Sequence, residues 1–181
     1  MLTILMILNK VVKGRRMPAN SADAPTQLDP ETRTFTLPID AVSVGRYAAA
    51  THDPDPAYLD DEAAKAAGYD RAIAPPTFVS AMLDYAGGPP ESSLRRDGVA
   101  LDWFPSIVSP EAVLMGGGQD IEFLSPIYVG DVVEIRRSLV EHHRRPSNRF
   151  GSLDLVVVES EITNQDGVLV MRILDTLVVA Q

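Results

Sequence analysis

Four side chains capable of acid–base chemistry crowd one short run, T-H-D-P-D-P-A-Y at 51–58, and His52, Asp53 and Tyr58 among them are the catalytic candidates, with Asp55 the fourth. Pro54 and Pro56 each fix a backbone φ angle, so the carboxylates of Asp53 and Asp55 are held in set directions. Such a turn either presents a carboxylate to a ligand or simply stabilises itself and caps the next helix. Tyr58 is a poor proton acceptor at neutral pH, because a phenol titrates near about 10. His52 is adjacent to Asp53, and neighbouring residues often point apart. A second group is the helix start Ala74-Pro75-Pro76-Thr77. The two prolines bring no N–H, so its free donors are expected on Thr77, Phe78 and Val79. The helix dipole there favours a carbonyl or an anion, which marks Pro76, Thr77 and Phe78 as substrate-binding candidates. A third is Gly116–Gly118 with Gln119, where a missing side chain lets a ligand approach the backbone or lets a strand bulge.

The elements that must position these groups follow from capping and periodicity. Thr32–Leu37 alternates as a first strand and Pro38 closes it. Asp40 caps a helix running to about Thr51, with Ala41, Val44, Tyr47 and Ala48 on one face. Asp60 caps a short helix, Asp61–Ala67, with Asp61 and Glu62 in its first turn, Lys65 late and Gly68 past its end. Pro76–Tyr85 is apolar almost all round, which predicts a buried helix. Glu91–Ala112 has little period and suits either a lid or an ordinary surface loop. Strands are expected at Ala112–Phe123, Asp131–Glu141, Gly151–Thr163 and Val168–Val179, with a charged loop at His142–Phe150 and solvated His142 and His143 within it. On the third of these strands Leu153, Leu155 and Val157 are set against Asp154 and Ser160. Asn164–Gly167 predicts a tight turn of the Asp-Gly kind, and Gly130-Asp131 a plain turn. The last three strands form an antiparallel meander able to bury one helix, an α+β layer.

Together these motifs resemble the N-terminal dehydratase domain of MaoC-like and fatty-acid-synthase-type hydratases. That family's acyl-CoA hydratase signature is roughly [FY]-A-x-x-S-G-D-x-N-P-x-H. Tyr47 and Ala48 match its start, Thr51 takes the Ser place, His52 the Gly place and Asp53 the Asp place. Asp55 stands at Asn, Pro56 at Pro and Tyr58 at His. Ile73–Phe78 matches the opening of the family's central helix. Gly117-Gly118-Gln119-Asp120, the run Ser125–Asp131 and Thr163–Gly167 match later segments, in order from about Thr34 to the C-terminus. The resemblance implies the hot-dog fold, an antiparallel sheet wrapped around a central helix. It also implies a hydratase or dehydratase acting on an enoyl or 3-hydroxyacyl thioester of CoA or acyl carrier protein. In such enzymes an Asp and a His share the water that is added or removed, with no metal and no organic cofactor. Here Asp53 is retained and Tyr58 replaces the histidine. Two outcomes stay open: catalysis by Asp53 with Tyr58 or His52 beside it, or an acyl-binding subunit beside a catalytic partner. A hot-dog thioesterase ranks last, since the central helix offers only Asp84, near its end.

The totals set outer limits. A chain of 181 residues suits one packed domain. Residues 1–30 suggest an N-terminal arm or an over-extended start, and 31–181 the dehydratase-like domain. A net charge of −9 argues against nucleic acid. There are no cysteines and three histidines, which leaves no thiolate nucleophile and disfavours a metal site. The apolar run Met1–Leu8 is too short to span a bilayer, and its positive charges follow it rather than precede it as in a secretory signal. A cytoplasmic protein without a membrane partner is the expectation. An exposed sheet edge invites a homodimer, or a heterodimer with a second hot-dog subunit.

Overall fold

The computed structural model describes residues 32–83, 91–95, 98, 108–109 and 111–180. Alternating sequences become five strands: β1 (Thr32–Pro38), β2 (Val113–Phe123), β3 (Val132–Ser147), β4 (Gly151–Thr163) and β5 (Leu169–Ala180). They form one antiparallel sheet in the order β1-β3-β4-β5-β2. The expected meander is its centre. At the β4–β5 turn, Asn164 Oδ1 accepts from the N–H groups of Asp166 and Val168, and Gly167 adopts φ 76°. The architecture is the hot-dog fold.

Short helices cover one end of the sheet. In α1 (Ala41–Thr51), Asp40 Oδ1 accepts from Ser43 N at 2.9 Å, satisfying one orphan donor of the first turn. In α2 (Asp61–Ala66), Asp60 does the same for Ala63 N at 2.8 Å. The expected central helix is α3 (Phe78–Met82), with Asp84 and Tyr85 outside the described residues, as is the arm of residues 1–30. It is not buried all round. Phe78, Val79 and Leu83 enter the core, whereas Thr77 and Ala81 are exposed. Phe78 and Tyr58 join Val44, Ile135, Ile162, Met171 and Ile173 in one cluster. A second cluster, of Leu139, Val156, Val158 and Val179 with Val108 and Ala112, lies further along the sheet.

The structure departs from the sequence-based expectation at β3 and β4. The segment expected as a charged loop continues β3 to Ser147, past a register shift between Leu139 and Glu141. His142 is therefore buried within a strand rather than solvated. Its Nε2 lies 2.7 Å from Oδ1 of Asp154, which is itself buried. Arg144 donates to the same carboxylate through Nε at 2.8 Å and Nη2 at 3.0 Å. Burial would raise the Asp154 pKa, but the hydrogen bonds from Arg144 and His142 outweigh it and hold the carboxyl below its ordinary value. Asp154 and Ser160 share the core face with Val156, Val158 and Ile162, the reverse of an outward polar side.

Asp131 is more than part of a turn. Its carboxylate is buried and accepts from Tyr128 N, Arg71 Nη2 (2.6 Å) and Gln165 Nε2 (3.0 Å). It ties the segment before α3, the start of β3 and the β4–β5 turn together. Asp131→Ala leaves three donors without their acceptor, so urea denaturation is expected to show a loss of about 1–3 kcal/mol. Stability within experimental error of the unaltered chain would show the junction to be incidental.

Candidate active site

The Asp53 turn begins where α1 ends. His52 stands in the left-handed region at φ 55°, and the N–H groups of His52 and Asp53 bond back to Ala49 O (3.3 Å) and Ala48 O (3.0 Å). This closing motif favours glycine at the left-handed position, the residue type that His52 replaces in the family signature. Among the described residues the His52 ring makes no hydrogen bond or ion pair, to Asp53 or to any other group. Asp55 caps the short 3-10 turn Pro56–Tyr58 by accepting from Ala57 N at 2.9 Å. That turn brings Tyr58 back beneath Asp53. The phenol donates to Asp53 Oδ2 at 2.7 Å, with the ring buried and the carboxylate residue exposed. Burial of the phenol, then its hydrogen bond to Asp53, pushes the Tyr58 pKa up to about 12. Tyr58 is thus a fixed donor to Asp53 at neutral pH.

The start of α3 flanks the same aromatic cluster. Tyr47 OH and Thr77 Oγ1 are 2.9 Å apart, and the Tyr47 and Phe78 rings meet edge to face at 5.5 Å. The donor set is smaller than expected, because the Phe78 N–H bonds to Pro75 O at 2.9 Å. Pro76 and Thr77 are exposed, while Phe78 fills the core. An open cleft of about 540 Å³ elsewhere is lined in part by Leu59, Asp60, Asp61, Glu62 and Arg71, and none of the candidate residues line it.

The glycine run is a bulge. Register shifts between Gly116 and Gly118 against β5, and a Cβ on Gly117 would lie 2.9 Å from both Cγ2 and O of Thr176. The close approach at Gly117 is therefore made by the neighbouring strand. Gln119 is engaged at both ends of its amide. It accepts from Ser80 Oγ at 2.7 Å and donates to Asp175 Oδ1 at 2.6 Å, latching α3 to β5. Arg137, buried on β3, reaches Asp175 from the other side at 3.6 Å. Among the described residues, no group of three or more His, Asp or Glu side chains could hold a metal ion. No helix among the described residues is long and apolar enough to cross a membrane.

Residues 30–173 match the family described as FAS1-like, dehydratase domain region. The chain belongs to that family. A UPF0336 protein of Streptomyces avermitilis is 31% identical over 146 residues, covering 78% of this chain and 87% of that one. Among solved structures, the HadBC (3R-hydroxyacyl-ACP dehydratase) complex from Mycobacterium tuberculosis superposes with a TM-score of 0.61 at 27% identity. It covers 86% of this chain and 99% of that chain. The (R)-hydratase from A. caviae involved in PHA biosynthesis shares the fold, with a TM-score of 0.58 at 17% identity over 85% of this chain and 98% of that chain.

Within this dehydratase-like frame, sequence reasoning missed the buried His142–Asp154–Arg144 group. Asp154 is ten and twelve residues from Arg144 and His142 and meets them only through the β3–β4 register. Alternating polar and apolar residues at 151–163 were the available signal, but they fit either face.

Two outcomes follow from the geometry. Because the folded-state pKa of Tyr58 lies above the ordinary 10.0, its contribution to stability is full below that value and is lost as pH rises through about 12. Difference spectra against Tyr58→Phe should show this phenol ionising later than an ordinary tyrosine, and ionisation near 10 would remove the Asp53 bond from the account. Gly117→Ala should cost about 1–3 kcal/mol in urea unfolding, because the strand backbone at Thr176 cannot move aside freely. An unaltered midpoint would mean the bulge is loose.

Proposed function

We propose that this chain is one subunit of a heteromeric hydratase or dehydratase acting on an enoyl or 3-hydroxyacyl thioester. Its task is to help form the acyl-binding surface and to steady a hot-dog partner that supplies the aspartate–histidine pair. The observation behind this reading is the hydrogen bond from Tyr58 to Asp53. Adding water to a conjugated thioester requires a base to take the water's proton as its oxygen bonds to Cβ, and an acid to protonate Cα. A histidine beside the aspartate can take and return a proton near neutral pH. A phenol with its pKa raised to about 12 cannot act as a base there, and is a reluctant acid. Family membership supports the reaction class, and a heteromeric relative such as the HadBC complex supports the two-chain form.

A second reading rests on the exposure of Asp53. In it, Asp53 takes the water's proton, Tyr58 protonates Cα, and the proton on Asp53 then passes to the phenolate across their hydrogen bond, restoring both groups. The raised pKa of Tyr58 disfavours this route but does not obstruct it sterically.

The two readings separate on crotonyl-CoA. The purified chain alone should give background hydration, unchanged in Asp53→Asn, and activity should appear when it co-purifies with a chain bearing an intact Asp/His pair. Robust turnover by the chain alone, abolished in Asp53→Asn without loss of thermal stability, would establish the self-contained enzyme instead.

A further inference from the structure

The hairpin joining β3 and β4 carries a cationic excess, opposite in sign to the net charge of the chain. The chain carries net charge −9, yet residues 141–154 hold Arg144, Arg145 and Arg149 against two carboxylates, Glu141 beside His143 and Asp154 beneath Arg144. They form the far end of β3, its turn into β4 and the start of β4. This tip is built firmly. Arg144 is 56% exposed, yet its guanidinium is forked onto the fully buried Asp154. Arg149 is exposed and lies over the Phe150 ring at 5.1 Å. Arg95 is fastened at the same end, on the carbonyl groups of Ser109 and Ala112.

The register shows where this end lies. Arg145, Leu153, Ala180 and Val113 form one row across β3, β4, β5 and β2. Ile135, Ile162, Met171 and Phe123 form another, at the end where Tyr58 and Phe78 pack. Nine residues of β4 separate the two rows, about 30 Å at strand rise. The cationic end is thus remote from this chain's own Asp53. In a side-by-side pair with a two-fold axis through the sheet, β2 runs antiparallel to the partner's edge strand. This chain's Val113 end then lies beside the partner's far end, the one that would hold the partner's site.

We infer that the Arg144–Arg149 hairpin is a docking surface for an acidic acyl carrier protein delivering its thioester to the partner's site. This rests on the two-subunit reading above. The surface is a protruding hairpin, which suits a protein face, whereas a small ligand is normally gripped in a concave pocket. A long polyanion or an anionic bilayer would also meet the acidic remainder of the chain. A small acidic protein can touch the patch alone.

The test uses the full chain with its co-purified partner. Binding and turnover are measured with a crotonyl-loaded carrier protein and with crotonyl-CoA. Arg145→Glu combined with Arg149→Glu should weaken carrier-protein binding about tenfold and leave crotonyl-CoA turnover unchanged. Arg33→Glu with Arg46→Glu makes the same charge change elsewhere and should have a much smaller effect. Equal losses for carrier protein and CoA would overturn the assignment in favour of a CoA-phosphate contact. Indifference to the reversal, with both substrates turned over, would overturn the docking surface alone. Failure to engage either substrate would overturn the thioester reading and this inference with it. If the double variant does not fold, salt decides on the unaltered assembly. Carrier-protein binding that does not weaken between about 0.05 and about 0.3 M salt would reject the electrostatic surface.

Discussion

The three-residue span Ala72–Ala74 holds the helical layer against the sheet. Ile73 N donates to Ala57 O at 3.0 Å, Ala74 N to Ile127 O at 2.8 Å, and Ala72 O accepts from Val129 N at 2.8 Å. One side of the span therefore grips the turn that bears Tyr58, and the other grips the approach to β3. The prolines that follow donate nothing, which forces the chain to end its pairing here and enter α3. Phe78, at 1% exposure, then drops into the cluster with Ile135 and Ile173. Burying a side chain of that size contributes about 1.5–3 kcal/mol, enough to keep a five-residue helix that would not persist alone. The relative position of Asp53 and the α3 start is a consequence of this clamp rather than of either helix.

The clamp also explains how tyrosine can occupy the family's histidine position without disturbing the fold. The 3-10 turn at Pro56–Tyr58 is fixed at both ends, by Asp55 accepting from Ala57 N and by Ala57 O accepting from Ile73 N. Its third residue must point into the core, and Tyr58 fills that direction while its hydroxyl reaches Asp53. Burying the ring satisfies the apolar demand, and the carboxylate satisfies the one polar atom. Structure and acid–base chemistry part here. Tyr58 orients Asp53 through its hydrogen bond, but a phenol does not exchange protons readily near neutral pH.

Much of this was legible in the sequence because the signals were local. Asp40 and Asp60 cap helices through bonds spanning three residues, and Asn164–Gly167 closes its turn within five. The strands announced themselves by alternation, and the family signature located the Asp53 turn. What escaped depends on long-range register. On β4 both faces carry three branched aliphatic residues, Leu153, Leu155 and Val157 on one and Val156, Val158 and Ile162 on the other, so a period of two could not say which face was inner. Asp154 proved inward because His142 and Arg144 come to it from the neighbouring strand. The donors at the α3 start were miscounted for a similar reason: Pro75 lends its carbonyl even though it lacks an N–H. For Gly116–Gly118 the sequence left two meanings open, and only the position of Thr176 distinguishes close strand packing from ligand access.

The two open edges of the sheet are not equivalent, and the difference bears on assembly. Among the described residues, β1 pairs with β3 only as far as Ser138. The stretch of β3 beyond it contains a bulge next to Val140, a proline at 146 and two arginines, all features that discourage another strand from adding. The β2 edge has no proline, lysine or arginine, and shows Val113, Met115 and Phe123 to solvent. Its bulge is confined to the glycines, and pairing with β5 is regular on either side. Of these two stretches, β2 carries the fewer features that oppose strand addition: a glycine bulge, Asp120 and Glu122, against a bulge, a proline and two arginines on β3. A pair joined through β2 would leave the cationic hairpin, two and three strands away on β4 and β3, free of strand pairing.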